Sequence, residues 1–238
     1  MASQNSTYTD EQLTEALLTF YGGSSATAET CGHIFGFGNP NHEMSMLQRI
    51  TATTMLDYQS KLNGLDDDAT SELIAGLVDQ AKVFHQTHGP IVPLQDIIQS
   101  KSPSMTLAAE FKRASPSKGD IASHLNAGEQ ACVYFGAGAS VISVLTEERW
   151  FKGSLADLNE VRLATTALAK TNNGQQRPAI LRKDFIVSKY QIAEAAASGA
   201  DTVLLIVATT PSAILQELIS FARSIGIEPL VEGMLWWN

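Results

Sequence analysis

RPAILRKDFIVSKYQIAEAAASGADTVLLIVA, residues 177–208, sets a helix-like segment between two short apolar runs, and its reading decides the fold. Pro178–Lys183 and Thr202–Val207 are rich in Ile, Leu, Val and Ala without clean polar alternation, as expected of strands covered on both faces. Between them Ser188 precedes KYQIAEAAASG as a helix start, and Gly199 supplies the left-handed residue that ends the helix. Strand, helix and strand in so short a span predict a βα unit, and consecutive βα units build a parallel sheet.

The pattern extends in both directions. Met105–Lys112, Ser140–Thr146 and Ile227–Val231 are further strand candidates. Ser154 stands three residues before Asp157 at the head of SLADLNEVRLATTALAK, and Thr210-Pro211 opens PSAILQELISFARSIG with proline at the first helical position, closed by Gly226. Five βα units are thus visible. A doubly wound sheet would place a glycine-rich phosphate loop after its first strand, whereas here that turn reads SPSKG. Charged residues instead recur at strand ends, where a (β/α)8 barrel builds its active site. The expected class is α/β, of the TIM (β/α)8 barrel family, incomplete and preceded by a helical extension.

Ahead of the strands, MSMLQRITATTMLDYQSKLN and TSELIAGLVDQAKVFHQ read as two helices split by an acidic turn, Asp66-Asp67-Asp68, after which Pro90 and Pro93 break the chain. Residues 1–42 hold one amphipathic helix candidate, Asp10–Tyr21, with Leu13, Ala16, Leu17 and Phe20 on one stripe, followed by a Gly/Ser/Thr-rich link. The expected organisation is a leader over residues 1–45, a helical extension over 46–104, strands one to five over 105–232 and a tail over 233–238.

A net charge of −9 argues against nucleic acid or a membrane surface as partner, so an anionic ligand has to be met by local lysines. Cys31 and Cys132 stand far apart without CxxC spacing, which predicts neither a disulfide framework nor a thiolate metal site. The first basic residue is Arg49 and no apolar run approaches the roughly 20 residues that cross a bilayer. The expected setting is the reducing cytoplasm, where the Asn5-Ser6-Thr7 sequon is inert.

The chemistry concentrates in AAEFKRASPSKGD, residues 108–120. Residues two apart on a strand share a face, so Glu110 and Lys112 point the same way just before a turn at Ser115-Pro116-Ser117. Strand three adds Lys183 and Asp184, and strand five adds Glu232. On a barrel these charges face one another across the mouth, where two lysines and two glutamates suit acid–base work on an anionic substrate. The alternative for the first stretch is an edge strand blunted by charge.

AEFKRASPSKGDIA, SVISVLTEERWFKGSLADL, the opening stretch and GIEPLVE together resemble successive blocks of indole-3-glycerol-phosphate synthase, the barrel enzyme of tryptophan biosynthesis. SMLQRITATTMLDY is similar to that family's N-terminal helical extension, so the resemblance covers roughly Met46 to Glu232. It implies a decarboxylating, dehydrating ring closure of 1-(2-carboxyphenylamino)-1-deoxyribulose 5-phosphate, without metal or organic cofactor. By the same resemblance Lys183 is the general acid at the ribulose carbonyl and Glu232 its acid–base counterpart in the dehydration. Lys112 neutralises the substrate's anionic groups, Glu110 orients Lys112, and Ser115, Phe151 and Phe185 shape the pocket, the two phenyl rings flanking the anthranilate moiety. The family also implies a possible fusion or association with a glutamine amidotransferase, of which the leader could be a linker remnant.

After Glu232 the family continues with strands six to eight, which carry an asparagine, a further glutamate and the serine and glycine turns that hold phosphate. Here the chain reads GMLWWN over residues 233–238, which predicts a truncated gene model or a retained intron. It also predicts open edges at strands one and five, exposed apolar faces of Ile227, Leu230 and Val231, and a sticky end at Trp236 and Trp237. A non-catalytic fragment that needs a complementing chain is therefore an alternative reading. Phosphoribosylanthranilate isomerase is a weaker one, since that barrel's first strand is expected to end in cysteine.

Four signals are discounted. His85 and His88 lack a third ligand, Cys31-Gly32-His33 lacks a partner, and Gly36-Phe37-Gly38 completes no dinucleotide fingerprint. Gly136-Ala137-Gly138 completes none either, and is expected to mark a close approach of helix and strand.

Overall fold

The computed structural model describes residues 7–22 and 43–233. The Cys31-Gly32-His33 and Gly36-Phe37-Gly38 motifs, the Gly/Ser/Thr-rich link, the Asn5-Ser6 part of the sequon and the Trp236-Trp237 end lie outside these residues.

Among the described residues four helices come first: α1 (Asp10–Phe20), α2 (Met46–Lys61), α3 (Asp67–His88) and α4 (Leu94–Lys101). Strand β1 (Ala108–Phe111) leads into a two-residue-strand hairpin, β2 (Ala114–Ser115) with β3 (Gly119–Asp120). The chain then alternates α5 (Ala127–Gly136), β4 (Val141–Leu145), α6 (Leu155–Thr171), β5 (Ala179–Lys183), α7 (Lys189–Ala197), β6 (Thr202–Ile206), α8 (Ser212–Ser224) and β7 (Leu230–Glu232). The order β1-β4-β5-β6-β7 forms one sheet, parallel throughout, with β1 and β7 at its edges.

Most of the described helices start where a short polar side chain can take a first free amide. Ser45, Ser154 and Ser188 each accept from the backbone N–H three residues on, and Gln48 and Gln191 complete reciprocal capping boxes. Three boundaries differ from expectation. Only Asp66 is the cap of α3, so Asp67 and Asp68 lie in its first turn, where acidic side chains oppose the positive end of the helix dipole. Pro211 occupies the cap position of α8 rather than the first helical position. Pro93, read as a breaker, is the cap residue of the unforeseen α4.

Both faces of the sheet are covered, which is why the strands lack alternation. One face, with Ile142, Val144, Ile180, Val203 and Leu205, packs on Ala81 of α3, Ala131 of α5, Leu158 of α6, Ile192 of α7 and Leu218 of α8. The other, with Val141, Ala179, Leu181, Leu204 and Ile206, meets Ile50 of α2 and Leu94 and Ile97 of α4. Leu13 and Leu17 of α1 are buried against Ala52 of α2, and the Tyr21 hydroxyl donates to the Thr209 carbonyl at 2.6 Å, tying the end of α1 to the loop after β6. Leu230 and Val231 are exposed as expected, but Ile227 is fully buried, because the turn into β7 folds it under α8. Gly136 and Gly138 mark no close approach: a Cβ at either would meet nothing within 4 Å, and Gly138 is needed instead for its φ of +94° as α5 ends.

Candidate active site

Register brings the strand-end charges together. Glu110 pairs with Ser143, Leu145 with Lys183 and Ile206 with Glu232, and residues in register in a parallel sheet face the same side. At the C-terminal ends of the strands this face opens into a cavity of about 230 Å³ lined by Glu110, Lys112, Lys183 and Glu232 among others. The Glu110 carboxylate bridges the two lysines: Lys112 Nζ donates to Oε1 at 2.8 Å, and Lys183 Nζ lies 3.4 Å from Oε2. These side chains are each about a third exposed, so the pairs add little to stability and matter through where they hold charge.

Apolar groups complete the walls. Phe151, from the loop after β4, and Phe185, just past β5, face one another with ring centroids 6.3 Å apart and a tilt of 34°. Leu47 of α2 also lines the cavity, as do Leu145, Leu204 and Ile206 of the strands. Ser115 is not among the lining residues. It sits in the β2–β3 hairpin, where its Oγ accepts from the Lys118 amide at 3.2 Å. The turn that carries it is anchored by Arg113, whose guanidinium forks onto Asp157 of α6 at 3.0 and 2.6 Å and donates to the carbonyls of Ser123 and Leu125.

Asp184 departs from the expected layout. It borders the cavity, but its carboxylate turns outward to Arg182 at 2.9 Å, Thr146 Oγ1 at 2.5 Å and its neighbour's amide, Phe185 N–H, at 2.8 Å. Arg182, fully buried on the opposite face from Lys183, also donates to the Gln191 carbonyl, to Glu194 of α7 and to the Tyr58 hydroxyl of α2. Lys61 reaches Glu194 at 2.5 Å. Burial works against the Glu194 carboxylate, but Arg182 and Lys61 overcome it and hold its pKa below the usual range, while burial pushes the Tyr58 phenol well above its own. One guanidinium thus locks the residues on either side of Lys183, and a charged cavity of about 440 Å³ opens beside it, between α2, α7 and the loop after β4.

A family model described as "Indole-3-glycerol phosphate synthase" matches residues 66–234. The chain belongs to the indole-3-glycerol phosphate synthase family. Its five parallel strands, with helices between them, are part of that family's TIM barrel. Among curated relatives, the chain is 55% identical over 143 residues to a "Multifunctional tryptophan biosynthesis protein" of Phanerodontia chrysosporium, covering 60% of this chain and 17% of that one. A protein of the same description from Schizosaccharomyces pombe is 52% identical over 143 residues, covering 60% and 18%. An "Indole-3-glycerol phosphate synthase" of Mycolicibacterium gilvum is 40% identical over 181 residues, covering 76% of this chain and 61% of the relative. The chain thus spans less than a fifth of the multifunctional relatives and about three fifths of the bacterial synthase.

Among the described residues no group of three His, Cys, Asp or Glu side chains is placed to hold a metal ion, and no helix is long and apolar enough to cross a membrane. His85 and His88 both lie against Phe84, and burial lowers the pKa of His85. Leu145, Leu204 and Ile206 could have been added to the candidate site by extending the two-residue period from Lys183 and its register partners. Leu47 carried no such signal, since it arrives from α2.

Proposed function

We propose that this site serves the ring closure of 1-(2-carboxyphenylamino)-1-deoxyribulose 5-phosphate to indole-3-glycerol phosphate, with release of carbon dioxide and water. The observation that carries the reading is one carboxylate, Glu110, held between Lys112 and Lys183 in a cavity that also contains Glu232. The aryl carbon bearing the carboxylate attacks the ribulose carbonyl carbon, and Lys183 gives its proton to the carbonyl oxygen as it gains charge. Carbon dioxide then leaves and restores the aromatic ring. Glu232 gives the proton with which the new hydroxyl departs as water and takes up the proton lost from the neighbouring ring carbon as the indole double bond forms. Lys112 offsets the substrate's negative charge, Glu110 orients both ammonium groups, and Phe151 and Phe185 flank the anthranilate ring. Ser115, close to this wall in sequence, is assigned to the pocket's rim.

The relatives named for multifunctional tryptophan biosynthesis support a setting in which this unit works fused to, or beside, other enzymes of that route. A glutamine amidotransferase as one such enzyme, and the cytoplasm as the compartment, are part of the same proposal. The exposed edges β1 and β7 favour a second reading, in which turnover needs a further polypeptide to cover them.

The test is turnover of the deoxyribulose phosphate by the full chain and by Lys183→Met, read as indole fluorescence. Removing a positioned general acid should lower turnover by roughly two to four orders of magnitude while leaving the fold intact. Equal turnover by the two proteins refutes the role of Lys183. Turnover that appears only with a second polypeptide carrying further βα units selects the second reading.

A further inference from the structure

The loop between β4 and α6, Thr146-Glu147-Glu148-Arg149-Trp150-Phe151-Lys152-Gly153, closes on itself. Gly153 comes so near the strand it left that a Cβ there would lie 1.9 Å from the Leu145 carbonyl oxygen. Its amide donates to the Glu147 carbonyl at 3.0 Å, and Lys152 takes a left-handed φ of +54° to complete the return. Inside the closed loop sits the carboxylate of Glu147, a residue only 7% exposed. Its Oε1 accepts from the Arg149 amide at 3.0 Å, and its Oε2 from the amides of Trp150 at 2.8 Å and Phe151 at 3.1 Å.

Three successive main-chain N–H groups aimed at one point make an anion nest, and here the anion is a side chain of the same loop. Hydrogen bonds to a charged acceptor are stronger than those between neutral groups, so the carboxylate holds the backbone of residues 149–151 in a shape that a neutral side chain would hold less firmly. The last of the three amides belongs to Phe151, whose ring lines the cavity opposite Phe185. The Phe151 carbonyl in turn accepts from the Ala114 amide at 3.0 Å, two residues beyond Lys112. Trp150 is buried in the same apolar cluster and fixes the other side of the loop.

We infer that Glu147 is a positioning residue for the aryl wall of the site: its carboxylate gathers the amides of Arg149, Trp150 and Phe151 and so fixes the Phe151 ring against Phe185 and the Phe151 carbonyl against the Lys112 turn. Its bearing on catalysis rests on the reading under Proposed function, because the ring it places is the one assigned to the anthranilate moiety. Glu147 touches neither lysine. Its loss therefore weakens capture of the aromatic half of the substrate and leaves the proton transfers intact.

The experiment compares the full chain with Glu147→Gln, which keeps size and one acceptor oxygen but turns an N–H2 group toward the amides, and with Glu147→Asp, which keeps the charge but falls short of them. Two measurements need no turnover. Amide exchange at residues 149–151 and at Ala114 should rise about tenfold or more in both variants, as expected from losing a hydrogen bond to a charged group, with the Ile180 amide unchanged. The nuclear Overhauser contact between the Phe151 and Phe185 rings should weaken with it. Unchanged exchange and an intact ring contact in a folded Glu147→Gln overturn the inference whether or not the chain is active. In the kinetic arm the KM for the deoxyribulose phosphate should rise about tenfold with kcat within about threefold of the parent. A fall in kcat at constant KM overturns the inference. Failure of the parent to turn over substrate counts against the proposed function alone, and the exchange and ring-contact arms still decide the role of Glu147.

Discussion

Replacing Asp201 by alanine should be among the most damaging single changes in the sheet, and the structure sets the size of the effect. Asp201 is fully buried at the start of β6. Its Oδ1 accepts from the Val92 amide at 2.9 Å and from Arg177 Nη2 at 2.7 Å, and its Oδ2 from the Ile180 amide at 2.7 Å and Arg177 Nη1 at 2.5 Å. One carboxylate thus joins the segment before α4, the start of β5 and a buried guanidinium. In Asp201→Ala, Arg177 keeps only the carbonyls of Pro178 and Pro90, each at 2.9 Å, and two amides lose their acceptor. Stranding one member of a buried ion pair costs about 3–5 kcal/mol. For a domain of this size, at about 2–4 °C per kcal/mol, the melting temperature should fall by about 6–20 °C. Urea denaturation of the parent, Asp201→Ala, Arg177→Met and the double variant closes a cycle. Because the damage is the stranded charge, the double variant should be more stable than the sum of the single losses implies, by at least about 1 kcal/mol. A loss below about 1 kcal/mol in Asp201→Ala, or strict additivity in the cycle, would refute the reasoning.

Two further outcomes follow from the same structure. Burial beside Arg162 and Arg177 holds the His85 pKa below its ordinary value, so the fold favours the neutral ring. Stability is then full above about pH 6.5, the unfolded value, and declines as pH falls toward the folded one; urea midpoints at two pH values should show a shallower acid decline in His85→Gln, and equal declines would remove His85 as the cause. Gly153→Ala drives a methyl into the backbone of Leu145, with 1.9 Å to its oxygen and 2.6 Å to its carbonyl carbon, and should cost at least about 2 kcal/mol. A stability within about 0.5 kcal/mol of the parent would show that the loop opens freely.

The strands and the charged cavity were legible because both are departures from pattern that neighbours cannot hide. Apolar runs such as Val141–Leu145 have no polar face to show, being covered by α2 and α4 on one side and by α3 and α5–α8 on the other. Charge at their ends then has nowhere to sit but the mouth, and Glu110, Lys112, Lys183 and Glu232 do line one cavity. Arg182 was not legible, although it stands next to Lys183 in sequence. Its partners Tyr58 and Glu194 lie 124 and 12 residues away, and only the folded sheet shows that an arginine in mid-strand is paired rather than solvated. Asp184 was misplaced for the same reason: its neighbour Arg182 competes for it from the outer face. The helix Leu94–Lys101 was hidden by Pro93, because a proline that ends an extended segment also suits the start of a helix.

The hydroxyl of Tyr21, held by the carbonyl of Thr209, joins residues 188 positions apart. Tyr21 is made before Thr209, so this latch does not exist until β6 and the turn after it have emerged. The same delay applies to Tyr58, whose acceptor Glu194 is made 136 residues later, and to Val92, which waits 109 residues for Asp201. These three contacts therefore close only after the strands between their partners are built, whereas α1 can bury Leu13 and Leu17 on α2 before then.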